Sequence, residues 1–504
     1  MMSAPKLRDY QQALVDRIET AMATGLRRIL AALPTGGGKT VCAVALVITM
    51  LARGLKVLLI VHRHELVLQT SSKLYASRID HGVIAAGFSP RPGAPVQIAM
   101  VGTLHARAVR TSTMGLPEAD LVIVDEAHHA RARTWQRIID TYPNAAVVGL
   151  TATPARGDGR GLGDVFEVLI EGPSVAELIT ARHLVGTKVY APSSPDLTGV
   201  TIRHGDYAEG ELAQRVNTPK LVGDIVTTWL KLAGRRPTVV FATNVAHAVH
   251  LRDEFCRAGI TAEVIDGTTP NPDREPILAR LASGATEVVV NCAVLTEGWD
   301  SPVVSCVVLA RPTQSMVLYR QIVGRGLRPA PGKSDCLVLD HSGTTLRLGF
   351  IDEHVEWTLA PDKPAARKSD SDGLGSSRKL TTCPECDAVR WSGRPCSACG
   401  WRPRPKPAAV DVVDGELGQV DRDRTVRMQQ PTASDKKCFY AELLFIASER
   451  GYQQGWAAHK HRERYGTWPS SRFVAPIEPR PETRSWVRSR FIAYAKARAK
   501  AGAA

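Results

Sequence analysis

The chain has 504 residues, 44% hydrophobic and 6% aromatic, with a formal charge of +14. That length exceeds one ordinary core and predicts about three domains, the composition excludes a fibrous or disordered chain, and the charge favours a polyanionic partner. The longest strongly apolar stretch, residues 41–51, is too short to cross a bilayer and MMSAPKLRDY lacks the apolar centre of a secretion signal, so a cytoplasmic protein with no membrane partner is expected.

Up to about residue 350, short β-branched runs alternate with longer amphipathic segments. Strands are expected at 29–33, 56–61, 96–101, 121–124 and 146–150, with helices such as 40–53 and 64–77 between them. A second set follows at 238–241, 262–265, 287–290, 303–309 and 336–339, with helices at 245–258 and 271–282. This alternation predicts two α/β units in tandem, each a mostly parallel sheet covered by helices. The first is placed at residues 1–185 and the second at 186–359, with the join near 182–195. A Pro-, Ser- and Gly-rich linker is expected at 360–380, a cysteine module at 381–403, a second linker at 404–433, and a basic, mostly helical region at 434–504.

The segment Pro34 to Thr40, PTGGGKT, sits between an apolar strand and a helix. Phosphates need a wide backbone turn with converging N–H groups, which Thr35, Gly36, Gly37 and Gly38 can supply. The helix start adds its positive end. Lys39 can reach the β- and γ-phosphates of ATP, and the Thr40 hydroxyl can ligate Mg²⁺. The strict form of this loop would carry Gly where this chain has Leu33. Further on, LVIV ends in Asp125-Glu126-Ala127-His128. Acids at the carboxyl end of a central strand face the crevice where open α/β sheets bind ligands. Asp125 would hold Mg²⁺ and Glu126 would deprotonate the attacking water. A zinc-protease reading fails because His128 and His129 are adjacent. His62, His64, His105 and His128 do not read as a metal set.

These elements, with those that follow, resemble the DEAH-type superfamily 2 helicases, in family order through roughly the first 340 residues. LRDYQ resembles the adenine-reading motif, which implies Gln11 as its contact. VHRHELVLQ and VGTLHAR, with VVFATN and VLTEGWDSP in the second unit, resemble further motifs of the family. They imply nucleic-acid contacts from Arg63, Thr103, Thr243 and Thr296, and nucleotide or coupling roles for Gly298 and Asp300. LTATP resembles the segment coupling hydrolysis to strand binding through Thr151 and Thr153, and His128 reads as a polar relay to the second domain. YRQIVGRGLRP resembles the sixth motif, with Gln321 facing the ATP site. The run from Arg311 to Gly343 is similar in style to the RadD-like bacterial repair helicases and their phage relatives. The resemblance implies an ATP-dependent DNA helicase or translocase in repair or recombination. Its partner would be single-stranded, duplex or branched DNA, with a single-stranded-DNA-binding or recombination protein as a further possibility. A restriction-system translocase, an RNA helicase and a non-hydrolysing clamp are the alternatives.

Phosphoryl transfer to water mostly needs positioning and charge neutralisation. Arg325 and Arg328 are three apart on an expected helix and would share one face. The second domain could present them to the γ-phosphate, contacts worth ~10³–10⁵ in rate in related hydrolases. Five cysteines, at 42, 256, 292, 306 and 336, lie singly in apolar segments and read as buried thiols. Cys383, Cys386, Cys396 and Cys399 form C-x₂-C-x₉-C-x₂-C, a set suited to structural Zn²⁺. From Asp435 onward there are fourteen Lys or Arg against six Asp or Glu. Aromatics among these charges suit base stacking and phosphate contact, or else the core of a small helical module.

Overall fold

The computed structural model describes residues 5–203, 205–362, 366–367, 379–403, 431–453, 455–470 and 474–501. The two expected linkers fall largely outside them. The chain forms two compact units, Met1–Lys406 and Pro407–Ala504.

The first unit holds both α/β domains. In the first domain, α1 (Asp9–Ala23) precedes β1 (Arg28–Ala32), α2 (Lys39–Ala52), β2 (Val57–Val61), α3 (His64–Ala76), β3 (His81–Ile84), β4 (Val96–Met100), β5 (Leu121–Asp125), β6 (Ala146–Thr151) and β7 (Val168–Glu171). The strands form one parallel sheet in the order β3-β4-β2-β5-β6-β1-β7. Central strands such as β2, VLLIV, are buried on both faces, as continuous apolar runs in a covered parallel sheet must be. One core lies under α1, α2 and α3, including Leu14, Leu46 and Val67. The other packs Trp135, Ile138 and Phe166 against the opposite face.

The second sheet contains β8 (Gly186–Tyr190), then, after the short hairpin of β9 (Ile202–Arg203) and β10 (Asp206–Tyr207), β11 (Thr238–Phe241), β12 (Ala262–Ile265), β13 (Val288–Asn291), β14 (Cys306–Leu309) and β15 (Asp335–Asp340). It is parallel, in the order β12-β13-β11-β14-β15-β8. The tandem parallel-sheet reading therefore holds. The join differs from expectation: Val175, Leu178 and Leu184 already pack in the second core, so the chain crosses over directly after β7.

The cysteine module sits at the free edge of the second sheet. Its hairpin, Leu380–Thr382 with Val389–Trp391, reaches β8 through a bridge between Tyr190 and Ala388 and a bond from the Ala191 N–H to the Asp387 carbonyl, 3.0 Å. An uncovered edge strand invites pairing with other chains, and this contact caps it.

The second unit is helical: Ala433–Glu449, Trp456–Tyr465 and Pro481–Ala501. Phe439, Tyr440, Leu443 and Ile446 form its core, with Trp456, Tyr465 and Trp486 packed against it. Most of the interleaved aromatics are thus structural. Trp468 is the exception among them, half exposed with Arg462 4.8 Å above its ring; Phe473 lies outside the described residues. Among the described residues no helix is long and apolar enough to cross a membrane.

Candidate functional site

The phosphate loop joins β1 to α2. Gly38 caps α2 at φ +94°, a left-handed conformation that costs an L side chain about 1–2 kcal/mol. A Cβ there would also lie 2.2 Å from the Gln11 amide nitrogen. The loop is braced from α1, where Tyr10 and Gln11 each donate to the Gly37 carbonyl at 2.9 Å. The Gln11 side-chain Oε1 in turn accepts from the Arg8 N–H at 3.0 Å. Gln11 is buried, and its side-chain amide braces the loop directly.

At the end of β5, Asp125 accepts from the N–H of Glu126 at 3.0 Å. Glu126 adopts φ +50°, ψ 52°, backbone strain of the kind that concentrates at functional sites. Its Oε1 lies 3.5 Å from the Lys39 ammonium, and its buried Oε2 lies 3.4 Å from Nδ1 of His128. Burial pushes Glu126 up, but Lys39 and then His128 outweigh it and hold the carboxylate well below its ordinary value. Burial, and then the charge on Glu126, push Asp125 up instead. An ionised base beside a phosphate loop fits a water to be deprotonated. Thr40 and Asp125 are the residues that would hold Mg²⁺.

Across this corner lies the second domain. Thr35, Gly36, Gly38, Lys39, Thr40, Asp125 and Glu126 share a cleft of about 340 Å³ with Gly298, Asp300, Arg325 and Arg328. Its size falls in the usual range of small-molecule sites. Larger cavities of about 510 and 790 Å³ exist, but neither brings the loop lysine together with the acidic pair. The helix Met316–Arg325 ends at Arg325, so Arg328 is not on it, contrary to the expected shared helical face. Both still reach the cleft. Gly324 allows this approach, since a Cβ there would lie 2.7 Å from Thr35. Arg325 is buried and donates to the carbonyls of Thr296 and Trp299 at 2.6–3.1 Å. Burial, and then the charge on Arg328, lower its pKa to about 10. Arg328 pairs with Asp300 at 2.9 Å, with its stem above Gly36. Lys73 also lines the cleft, a residue the motifs do not single out.

Gln321 does not line this cleft. Its amide nitrogen lies 3.3 Å from Nε2 of His128. His128 is the buried hub of the interface: Nδ1 lies 3.3 Å from the Thr151 hydroxyl and 3.4 Å from Glu126 Oε2, and Nε2 lies 3.1 Å from Glu297 Oε1. Thr151 accepts from the Thr153 N–H at 3.1 Å and donates to its carbonyl at 3.0 Å. Burial would depress His128, but bonds to Glu126 and Glu297 outweigh it and raise its pKa to about 9. Glu297, which the sequence reading passed over, also accepts from His62 at 2.6 Å. Burial opposes its charge, yet bonds from His128, His129 and His62 hold it far below the carboxylate range.

The expected nucleic-acid residues do not form one exposed track. Arg63 spends its guanidinium on the second domain, donating to the Val294 carbonyl at 2.7 Å and the Ala293 carbonyl at 3.5 Å. Thr243 and Thr296 are buried, at 1% and 8% exposure. Thr103 is half-buried on the helix Val101–Leu104.

In the cysteine module, Sγ of Cys383 lies 3.6 Å from Cys399, and Cys386 lies 3.7 Å from Cys396. Thiolates around a tetrahedral Zn²⁺ with bonds near 2.3 Å would stand about 3.8 Å apart, so the donor set fits. Arg390 stacks on Trp401 at 4.4 Å beside it. Of the five cysteines expected to be buried thiols, Cys256 is exposed, unlike Cys42, Cys292, Cys306 and Cys336.

Residues 4–156 match the family described as type III restriction enzyme, res subunit, and residues 220–330 match the helicase conserved C-terminal domain. A 51.5 kDa protein of a Lactococcus phage is 30% identical over 369 residues, which cover 73% of this chain and 76% of that protein. IRC3 of Saccharomyces cerevisiae, which carries the name of an ATP-dependent helicase, is 31% identical over 363 residues. The match covers 68% of this chain, while the chain spans only about half (52%) of that relative. A fragment structure named as an HsdR subunit of a type I restriction enzyme, from Vibrio vulnificus, has the same fold. Its TM-score is 0.55 at 21% identity, covering 71% of this chain and 68% of that one. On its two matched domains and the cleft between them, the chain belongs to the superfamily 2 helicases, the ATP-hydrolysing nucleic-acid motors.

Proposed function

We propose that the chain is an ATP-dependent DNA helicase or translocase that works in repair or recombination, near the RadD-like group. The observation that carries the motor reading is the meeting of Lys39 and Glu126 from one domain with Arg325 and Arg328 from the other on a single cleft. In this reading Lys39 leaves Glu126 for the phosphates, and Glu126 takes the proton of the attacking water. Arg328 exchanges Asp300 for the γ-phosphate. Arg325 holds the 296–299 backbone in place as much as it supplies charge. Mg²⁺, when bound, neutralises developing phosphate charge beside Thr40 and Asp125. His128 reports the state of Glu126 to Thr151, Glu297 and Gln321, so loss of phosphate loosens the domain contact. That is a ligand-biased hinge.

The adenine-reading motif type and the restriction-enzyme likenesses favour DNA over RNA. They also favour a second reading, the translocating subunit of a restriction system. Zn²⁺ in the cysteine module would cross-link two turns and keep the sheet edge capped. ATPase stimulation across single-stranded, duplex and branched DNA and RNA tests the proposal. Branched or single-stranded DNA should stimulate most. Stimulation by RNA alone would overturn the DNA assignment, and dependence on a nuclease partner would favour the restriction reading.

A further inference from the structure

Two histidines outside the phosphate chemistry converge with one carboxylate at the domain interface. His62 follows β2 and His129 follows the acidic pair, both in the first domain, and Glu297 comes from the second. Nε2 of His62 lies 2.6 Å from Glu297 Oε2, and Nε2 of His129 lies 3.3 Å from Oε1 and 3.4 Å from Oε2. All three donor atoms fall within 4.8 Å of one another. Around a tetrahedral ion with Zn–N and Zn–O bonds of 2.0–2.1 Å, such atoms stand about 3.3 Å apart. His129 already has that spacing from the carboxylate, and His62 would need to withdraw by only about 0.7 Å to match it. Imidazole and carboxylate together suit Zn²⁺, whereas Mg²⁺ prefers oxygens and water.

Access and charge also bear on the site. The His62 and Glu297 side chains are 15% and 8% exposed, whereas His129 is 40% exposed. The cluster is thus largely enclosed and opens to solvent on one side, leaving a coordination position for water. Two cationic neighbours oppose an ion: Arg63, with Nε 3.9 Å from Oε2, and His128, 3.1 Å from Oε1. Arg63 is held away by the carbonyls of Val294 and Ala293. The balance favours reversible binding over a permanent structural ion.

We propose that His62, His129 and Glu297 form a Zn²⁺ site that exists only when the two domains are closed, so that bound Zn²⁺ staples them and arrests the motor. The arrest rests on the motor reading; the binding does not.

Equilibrium dialysis of the full chain against Zn²⁺, with metal analysis, tests it. Wild type should hold one equivalent more than His129→Asn and than His62→Gln, each of which should bind that equivalent at least about tenfold more weakly. The extra equivalent should persist in Lys39→Ala, whose hydrolysis is disabled. Saturating Zn²⁺ should cut wild-type ATPase about tenfold or more, reversibly on dilution into nitrilotriacetate, and should cut His129→Asn by less than about twofold. Equal metal content in wild type and both folded histidine variants would overturn the site. An extra equivalent that leaves wild-type turnover unchanged would overturn the staple.

Discussion

Replacing Glu297 with Gln removes one charge from the domain interface and almost no volume. In the wild type this carboxylate accepts from His62 at 2.6 Å, lies 3.1 Å from His128, and has His129 at 3.3 Å. It is 8% exposed, so solvent cannot take its place. Hydrogen bonds to charged groups contribute about 1.5–3 kcal/mol each. Gln keeps one acceptor oxygen, so the net loss should be about 2–3 kcal/mol, or about 30- to 160-fold in the closing equilibrium. The cost falls on closure and not on either sheet, because the cluster bridges two separate cores. A donor–acceptor dye pair across the cleft should report a more open protein. Turnover at saturating ATP and DNA should fall about tenfold or more, with unchanged circular dichroism. Closure and turnover both within twofold of wild type would refute the argument.

Other consequences follow from the same geometry. Arg328→Ala should cut turnover by about 10³-fold or more while ATP affinity changes far less; equal losses in both would mean that Arg328 only shapes the cleft. His128 has a pKa raised from 6.5 to about 9 in the folded protein. Its contribution, on the order of 3 kcal/mol, is therefore complete below pH 6.5, declines as pH rises and is gone above about 9. Thermal melts of wild type and His128→Asn should differ most below pH 6.5 and converge near pH 9, and a constant difference would contradict the assignment. Cys396→Ser should lose the module's zinc and lower the melting temperature of the first unit, with wild-type metal content counting against the tetracysteine site.

Much of this was legible in the sequence because the central strands announce themselves. β2, β5, β11 and β14 are continuous apolar runs, buried on both faces. Within the two parallel sheets, the strands missed were β3, β7 and β8. Each lies at the edge of its sheet and is only partly buried, so none carries a long apolar run. The phosphate loop and acidic pair were readable because their chemistry is local, a turn or a strand end. Glu297 was not, although it sits between the singled-out Thr296 and Gly298. What makes it a hub is three imidazoles from the other domain, and no local pattern encodes that docking. The same docking engages Arg63, a residue that family likeness alone assigned to nucleic acid. In the tail, composition suited either nucleic-acid stacking or a helical core. Packing of Trp486 and Tyr465 around Phe439, at 5.3 and 5.5 Å between ring centres, favours the core for those two.

The central claim is that one cleft hydrolyses ATP with Glu126 as its base. The most direct test is DNA-stimulated phosphate release by Glu126→Gln alongside ATP binding by the same variant. The account predicts binding close to wild type and turnover reduced by about 10²–10⁴-fold. A folded variant that binds ATP and hydrolyses it at the wild-type rate would contradict it.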